Sequence, residues 1–157
     1  MAIESYSTRD EYGEFSNFAA FPFCLDGKTW PTSEHYFQAL KFDDSAYREK
    51  IRTSNSPMIA ARLGRSRNVK IRRDWESAKL DVMRRAVRAK FEAHEDLQTL
   101  LLSTGDKKIV EAATRDDFWG CGADGSGKNW LGRILMELRA ELQAQKNLQS
   151  ERSHEPN

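Results

Sequence analysis

The 157-residue sequence has few of the features that mark membrane, secreted or metal-binding proteins. Its two cysteines and three histidines form neither a C-x-x-C nor an H-x-x-x-H pair. We therefore expect no dedicated metal site, and such isolated cysteines favour a reducing, cytoplasmic compartment. No apolar run approaches the length of a membrane span, and the first residues lack a signal-peptide apolar segment. With a net charge of +1, no overall field points to nucleic acid or to a membrane surface.

The sequence does contain one hairpin signal and several amphipathic stretches. Residues 21–25 and 28–30 flank Asp26-Gly27, a pair typical of a tight β-hairpin turn. Residues 107–113 are short and fit either a strand or a helix. Apolar periodicity and capping residues predict helices over 33–42, 44–54, 57–64, 74–94, 96–103 and from about 129 onward. The sequence thus predicts an α+β fold, mainly α, with a small antiparallel β element near the N-terminus.

The organisation of the chain is simple. It shows no internal repeat and no linker, and its length suits one domain with a real hydrophobic core. We therefore predict a single domain over residues 1–146. Residues 147–157 are polar and without apolar periodicity, so we predict a disordered tail there.

Glu34 is the first candidate for chemistry, in the opening turn of a predicted helix. Gln38 and Lys41 lie four and seven residues further on, so the three share one helix face. An acid in a first turn interacts favourably with the helix dipole and needs no other role. If Glu34 is instead catalytic, the dipole favours its carboxylate form, which suits a base that activates water. The sequence alone leaves both interpretations open.

A glycine-rich stretch, GADGSGKN at residues 122–129, raises the question of a phosphate-binding P-loop. It fits G-x-x-x-x-G-K but has Asn129 where the P-loop has Ser or Thr. No apolar strand precedes it, and too few residues follow for the βαβ units of a nucleotide hydrolase. We therefore predict that it is not a P-loop. Its glycines still allow the backbone to approach an anion, and a capped surface turn is the plain alternative.

Three further features suit a nucleotide ligand. Six basic residues lie between Arg62 and Arg73 with no acid among them, which suits either phosphate binding or a solvated basic face. The four tryptophans, Trp75 among them, serve either core packing or stacking on a base. Asp116 and Asp117 lie on a predicted loop, where most aspartates only form turns. Together these groups suit chemistry on a nucleotide, but they do not name the reaction.

Five segments together resemble the YbiA-like proteins of the NADAR superfamily. They are YGEFSNF (12–18), DGKTWPTSEHYFQALKF (26–42), SPMIAARLGR (56–65), DWESAKLDVMRRAVRAKF (74–91) and DDFWGCGADGSGKNWLGRILMELR (116–139), and the resemblance covers residues 5–143. It implies a compact, mainly helical fold and N-glycosidase activity. The expected reaction is hydrolysis of the base–ribose C–N bond of ribosylamino-pyrimidine phosphate intermediates of riboflavin biosynthesis.

The resemblance also assigns residues to roles. It implies Glu34 as catalytic carboxylate, Trp75 as the stacking platform and Asp116 as second carboxylate, with Asp117 as its neighbouring alternative. It implies that the glycine loop is shaped for a ribose phosphate and that Asn129 caps the last helix or binds the sugar. No metal and no cofactor are expected. The substrate-binding candidates are Asn17, Gln38, Lys41, Arg65, Trp119, Gly120, Gly122, Gly127 and Asn129.

Two alternative functions stay open. An ADP-ribosyl-guanine hydrolase acting on modified DNA or RNA would use the same chemistry, and the basic run would then bind nucleic-acid phosphates. A non-catalytic module that binds ADP-ribose or NAD is the other alternative, although intact Glu34 and Asp116 argue against it. The expected partner is a small ribosyl-base phosphate, with ADP-ribosylated nucleic acid as the alternative and no obligate protein partner or membrane.

Overall fold

The computed structural model of the protein describes residues 3–5, 11–113, 116, 118–123 and 126–153. Within these ranges it contains six α-helices and four three-residue strands, so the chain has the predicted α+β, mainly helical fold. The chain groups into two compact units, which are described in turn. One unit is Ser7–His94, and the other combines Met1–Tyr6 with Glu95–Asn157.

The predicted hairpin is present in the unit Ser7–His94. Strands β2 (Phe23–Leu25) and β3 (Lys28–Trp30) pair antiparallel, with Phe23 opposite Trp30. Asp26 and Gly27 have φ angles of 55° and 77°, the left-handed values that a two-residue hairpin turn of this kind requires. The Asp-Gly signal was therefore sufficient to place this element.

Four helices complete this unit: α1 (Ser33–Ala39), α2 (Ser45–Arg52), α3 (Pro57–Gly64) and α4 (Trp75–Ala93). Each of the first three begins at a residue whose side chain accepts a hydrogen bond from the backbone N–H three positions on, which explains why these helices start where they do. Helix α1 packs against the other three. The core between them contains Tyr36, Ile51, Ala60, Met83 and Val87, each at most 2% exposed.

A buried lysine supports the loop that precedes the hairpin. Lys90 on α4 is 1% exposed, and its ammonium donates to Glu14 O at 2.6 Å and Ser16 O at 2.9 Å. These carbonyls end a short 3₁₀ turn, Gly13–Phe15. A lysine on a helix is normally solvated, so this burial is unusual and depends on the two carbonyl acceptors. Lys90 instead fixes the segment that carries Asn17.

The second unit is built on a parallel strand pair. Strand β1 (Ile3–Ser5) pairs with β4 (Ile109–Glu111). The sequence left 107–113 open between strand and helix, and it missed β1 because its partner lies about a hundred residues away. Helices α5 (Glu95–Ser103) and α6 (Trp130–Ser153) pack together, and α6 also covers β4. The buried residues of this unit include Leu97, Leu101, Ile109, Leu131 and Leu135.

Helix α6 is longer than expected. The sequence predicts a disordered tail from residue 147, whereas the structure continues α6 through Ser153. The physical reason is propensity: residues 147–153 include the helix formers Leu, Gln, Glu and Arg, and neither Gly nor Pro is present to end the helix. Its residues are exposed, which is why no apolar period marks them. None of the helices in the described part of the chain combines the length and the hydropathy that a bilayer crossing demands.

Candidate active site

Glu34 lies in the first turn of α1 and is half-buried. Two sets of hydrogen bonds hold the start of this helix in place. The Thr32 side chain accepts a hydrogen bond from the backbone N–H of His35, and Asn17 O accepts one from Glu34 N–H at 3.2 Å. Ser33 Oγ also donates to Asn17 Oδ1 at 2.7 Å. Asn17, a predicted substrate-binding residue, thus uses its carbonyl and its side chain to position the helix start that carries Glu34.

Gln38 orients the Glu34 carboxylate. Its Nε2 donates to Glu34 Oε1 at 2.8 Å, the contact that the four-residue spacing predicts. The Gln38 Oε1 atom is buried and has no hydrogen-bond donor among the described residues. A Cβ added to Gly64 would lie 1.9 Å from this oxygen. Gly64 therefore leaves the room that the Gln38 side chain occupies, a role that sequence analysis missed because Gly64 was interpreted only as the end of a helix.

Lys41 lies just beyond α1, because this helix ends at Ala39 and not at residue 42 as predicted. Its Nζ donates to Gly64 O at 2.7 Å. Burial lowers the pKa of Lys41, the nearby Glu34 carboxylate acts in the opposite direction, and Arg65 lowers that pKa further. The electrostatic effect of Glu34 shows that this carboxylate and the Lys41 ammonium are close enough to interact. The structure thus has the contact between Glu34 and Gln38 that their spacing predicts, whereas Lys41 is positioned by Gly64 O and not by the helix.

Trp75, the expected stacking platform, is almost fully buried. It is the first residue of α4 and is 7% exposed. Its ring packs on Phe37, with centroids 5.0 Å apart and planes at 53°. This burial supports the core-packing interpretation, and a stacking role stays a prediction. An exposed aromatic ring that the sequence analysis did not single out is Phe18, which is 39% exposed and directly follows Asn17.

Asp116 belongs to the second unit and closes a turn. Its Oδ1 accepts hydrogen bonds from the backbone N–H groups of Phe118 at 3.0 Å and Trp119 at 2.9 Å. One carboxylate oxygen is thus used locally, as the turn-forming interpretation expects. The ring of Trp119 packs edge-on against Phe118 at 4.8 Å. Asp117, the alternative second carboxylate, lies outside the described residues.

The glycines of the loop allow it to fold tightly on itself. A Cβ on Gly120 would lie 2.9 Å from Glu111 O, and one on Gly127 would lie 2.5 Å from Gly120 O. Gly122 has a φ of 71°. Close approach of one loop segment to another therefore explains these glycines without a ligand, and their predicted contact with a ribose phosphate stays a prediction.

Asn129 ties this loop to strand β4. Its side chain is buried, accepts from Glu111 N–H at 2.8 Å and donates to Ile109 O at 2.9 Å. Both polar groups of the amide are therefore used by the strand. Asn129 O accepts the N–H of Arg133, so its backbone, not its side chain, begins α6. The structure thus gives Asn129 a third role, which the sequence did not suggest.

Lys128 completes the comparison with a P-loop. Its ammonium lies 5.7 Å from the centroid of the Phe118 ring. In a P-loop, the equivalent lysine reaches the phosphates from a loop that directly follows a strand. Here the described residues immediately before the glycine stretch form turns and irregular backbone. The described residues of this stretch therefore differ from a P-loop, with which the stretch shares the spacing of its glycines and lysine.

These features define a mainly helical domain with a carboxylate held at a helix start beside a lysine. The chain belongs to the NADAR domain family, whose model matches residues 5–143. It is 59% identical over 144 residues to the N-glycosidase YbiA of Escherichia coli strain K12, and the match spans 92% of this chain and 90% of that protein. The NMR structure of E. coli YbiA has a TM-score of 0.86 against this chain and spans 92% of it, with 86% of its own chain covered.

Two more distant relatives extend the comparison. The N-glycosidase Npun_R5314 of Nostoc punctiforme is 43% identical over 145 residues, covering 90% of this chain and 93% of that protein. The chloroplastic riboflavin biosynthesis protein PYRR of Zea mays is 44% identical over 155 residues, covering 89% of this chain but 25% of that protein. The same kind of domain thus occurs both nearly alone and as part of a longer protein.

Proposed function

We propose that this chain is an N-glycosidase that hydrolyses the base–ribose C–N bond of ribosylamino-pyrimidine phosphate intermediates of riboflavin biosynthesis. Relatives that match it over most of their length are named N-glycosidases. Two longer relatives, from Zea mays and Vibrio vulnificus, are named riboflavin biosynthesis proteins. The structural observation that carries the proposal is the Glu34 carboxylate, which Gln38 orients at the start of α1.

The chemistry follows from the charge that the reaction creates. As the C–N bond breaks, positive charge develops on the anomeric carbon and the ring oxygen of the ribose. In the proposal, the Glu34 carboxylate lies beneath this charge and stabilises it, and it orients the water that adds to the anomeric carbon. The nitrogen of the departing base takes up the proton that the water loses, so the step consumes one water and needs no other reactant. The hydrogen bond from Gln38 holds the carboxylate in place before the charge appears, so less reorganisation is needed during the reaction.

Two other predicted residues take supporting roles in the proposal. Asp116 is the candidate second carboxylate, and it acts through Oδ2, since Oδ1 already accepts two backbone N–H groups. Trp75 supports the helix that carries Glu34, because it packs on Phe37 of that helix. Neither role involves a metal ion.

Removal of ADP-ribose from guanine in modified nucleic acid remains the second candidate function. The observation that favours keeping it is the set of exposed cations Arg62, Arg65, Arg67 and Lys70, which suits nucleic-acid phosphates as well as a small phosphate. Incubating the protein with each substrate separates the two functions by mass spectrometry: the first releases free base and ribose phosphate, and the second releases ADP-ribose and leaves the unmodified nucleic acid. Release of these products from neither substrate would leave a binding module.

The Glu34→Gln variant tests the catalytic assignment. We expect it to lower kcat at least about 100-fold, a loss of ~2.7 kcal/mol of transition-state stabilisation, because the charge under the ring is gone. Glu95→Gln is the matched control, since Glu95 is an exposed acid in the first turn of α5 and shares the helix-dipole position without the site. If Glu34→Gln keeps more than a tenth of the wild-type rate, Glu34 is not the catalytic carboxylate.

A further inference from the structure

Two neighbouring cavities of the unit Ser7–His94 share a wall but differ in charge. The first, of about 570 Å³, is lined by Lys41, Gly64, Arg65, Ser66, Arg67, Val69, Lys70 and Ile71. The second, of about 400 Å³, is lined by Asp43, Asp44, Val69, Lys70, Ile71, Arg73 and Asp74. The first therefore has four cations and no acid, whereas the second has three acids and two cations. An anion is attracted to the first cavity, which we call the basic cavity.

Most cations of the basic cavity lack an ion-pair partner among the described residues. Elsewhere in the described part of the unit, basic side chains such as Arg52, Arg72 and Arg85 form ion pairs at 2.5–2.8 Å. Arg65, Arg67 and Lys70 form no ion pair with any described residue. Three cations without an ion-pair partner among the described residues thus line a cavity that has no acid in its wall, which is an arrangement that a bound anion would stabilise.

The basic cavity adjoins the candidate catalytic carboxylate. Gly64 forms part of its wall and also contacts the Gln38 side chain that orients Glu34. Lys41 lies in the same wall and is held by Gly64 O. Glu34 lies in the first turn of α1, and Lys41 follows the last residue of that short helix, Ala39. A ligand with its reacting carbon at Glu34 and its other end directed along α1 would therefore place that end in the basic cavity.

We propose that the basic cavity binds the phosphate monoester of the ribosyl substrate, with Lys41 as its inner contact and Arg67 and Lys70 as its outer contacts. This assignment rests on the proposed function. A phosphate monoester carries up to two negative charges near pH 7, and an arginine guanidinium matches its oxygens with two parallel hydrogen bonds. Binding energy at this end of the substrate, remote from the C–N bond, positions the anomeric carbon over Glu34.

The test compares two substrates in three proteins. The substrates are a ribosylamino-pyrimidine 5′-phosphate and the same compound without its phosphate. The proteins are the wild type, Arg67→Ala and Arg73→Ala, the last being the matched control because Arg73 lines the acidic neighbour cavity. We expect Arg67→Ala to raise KM for the phosphorylated substrate at least tenfold more than KM for the dephosphorylated one. Arg73→Ala should change the ratio of the two KM values less than twofold.

An equal rise of both KM values in Arg67→Ala, or the same selective rise in Arg73→Ala, would overturn the assignment. A second measurement does not need turnover. Ribose 5-phosphate is titrated into the wild type and into Arg67→Ala, and calorimetry gives its dissociation constant for each protein. Binding by wild type that weakens at least tenfold in Arg67→Ala supports the cavity even if no substrate is hydrolysed, which would refute only the proposed function. Displacement of ribose 5-phosphate by a single-stranded oligonucleotide at equal phosphate concentration would assign the cavity to phosphodiesters instead, and would refute the proposal.

Discussion

Gly64→Ala is the substitution for which the structure gives the sharpest expectation, because two effects oppose each other. Gly64 is the last residue of α3, and its φ lies outside the left-handed range, so alanine is compatible with the backbone. Helix propensity alone then favours alanine by ~0.5–1 kcal/mol. The new Cβ, however, would lie 1.9 Å from Gln38 Oε1 and 2.6 Å from Gln38 Cδ. The amide of Gln38 must therefore move, and its hydrogen bond to Glu34 is lost.

The expected loss is one of activity more than of stability. A hydrogen bond to a charged group contributes about 1.5–3 kcal/mol, which corresponds to roughly a 10- to 100-fold fall in kcat/KM if the bond matters in the transition state. The melting temperature should change by only a few degrees, because the half-buried Gln38 side chain can swing aside and helix propensity offsets part of the cost. N-glycosidase assays by mass spectrometry and thermal melts measure the two quantities separately.

A double-mutant cycle isolates the cause. Gln38→Ala removes the two atoms closest to the new methyl group, Oε1 and Cδ, and keeps only the contact with Cβ at 3.1 Å. Gly64→Ala in the Gln38→Ala background should therefore lower kcat/KM less than twofold further. A coupling energy of at least ~1 kcal/mol is therefore expected between the two positions. Wild-type activity in Gly64→Ala, or equal effects of Gly64→Ala in both backgrounds, would refute the reasoning that Gly64 acts through Gln38.

Three further predictions concern pH, Trp75 and metal ions. Burial lowers the pKa of His35, against a smaller raising effect of Ser54 O, so the folded state favours neutral His35. We therefore expect the free energy of unfolding to fall as pH drops below about 6.5. Between pH 7.5 and 5.5, the melting temperature should drop less in His35→Gln than in the wild type. Trp75→Ala should lower the free energy of unfolding in urea by about 3–5 kcal/mol, and Trp75→Phe should lower it clearly less. If both variants keep wild-type stability and activity, Trp75 is neither a core residue nor a stacking platform. Hydrolysis should continue in excess EDTA, because the charge that develops on the ribose is positive and a carboxylate, not a metal cation, stabilises it. A loss of activity in EDTA that a divalent ion reverses would contradict the metal-free mechanism.

The sequence predicts those elements whose signal is local. The Asp26-Gly27 turn and the capping residues of α1 to α3 each act within a few residues, and the structure has the hairpin and the helices there. Strand β1 escaped prediction because its only signal is a partner across the chain at β4. The helical end of α6 escaped it because an exposed helix without an apolar face has no periodicity to detect.

The candidate site shows the same division between local and distant information. Helical spacing places Glu34 and Gln38 on one face, and the hydrogen bond from Gln38 to Glu34 follows from it. Nothing in the spacing shows that Gly64 makes room for Gln38, because α3 and α1 meet only in the folded chain. The burial of Lys90 is likewise invisible, since its two carbonyl partners lie more than seventy positions away.

The glycine stretch that imitates a P-loop illustrates why a motif requires structural context. A phosphate-binding loop leaves its backbone N–H groups pointing at the ligand. Here the N–H groups of Gly127 and Asn129 donate to Cys121 O and Gly120 O, and the Asn129 side chain is used by β4. These donors already have partners, so an anion would have to displace protein contacts to use them. Of the anion-binding features that the sequence suggested, the unpaired cations of the basic cavity are therefore better suited to hold a phosphate than the glycines.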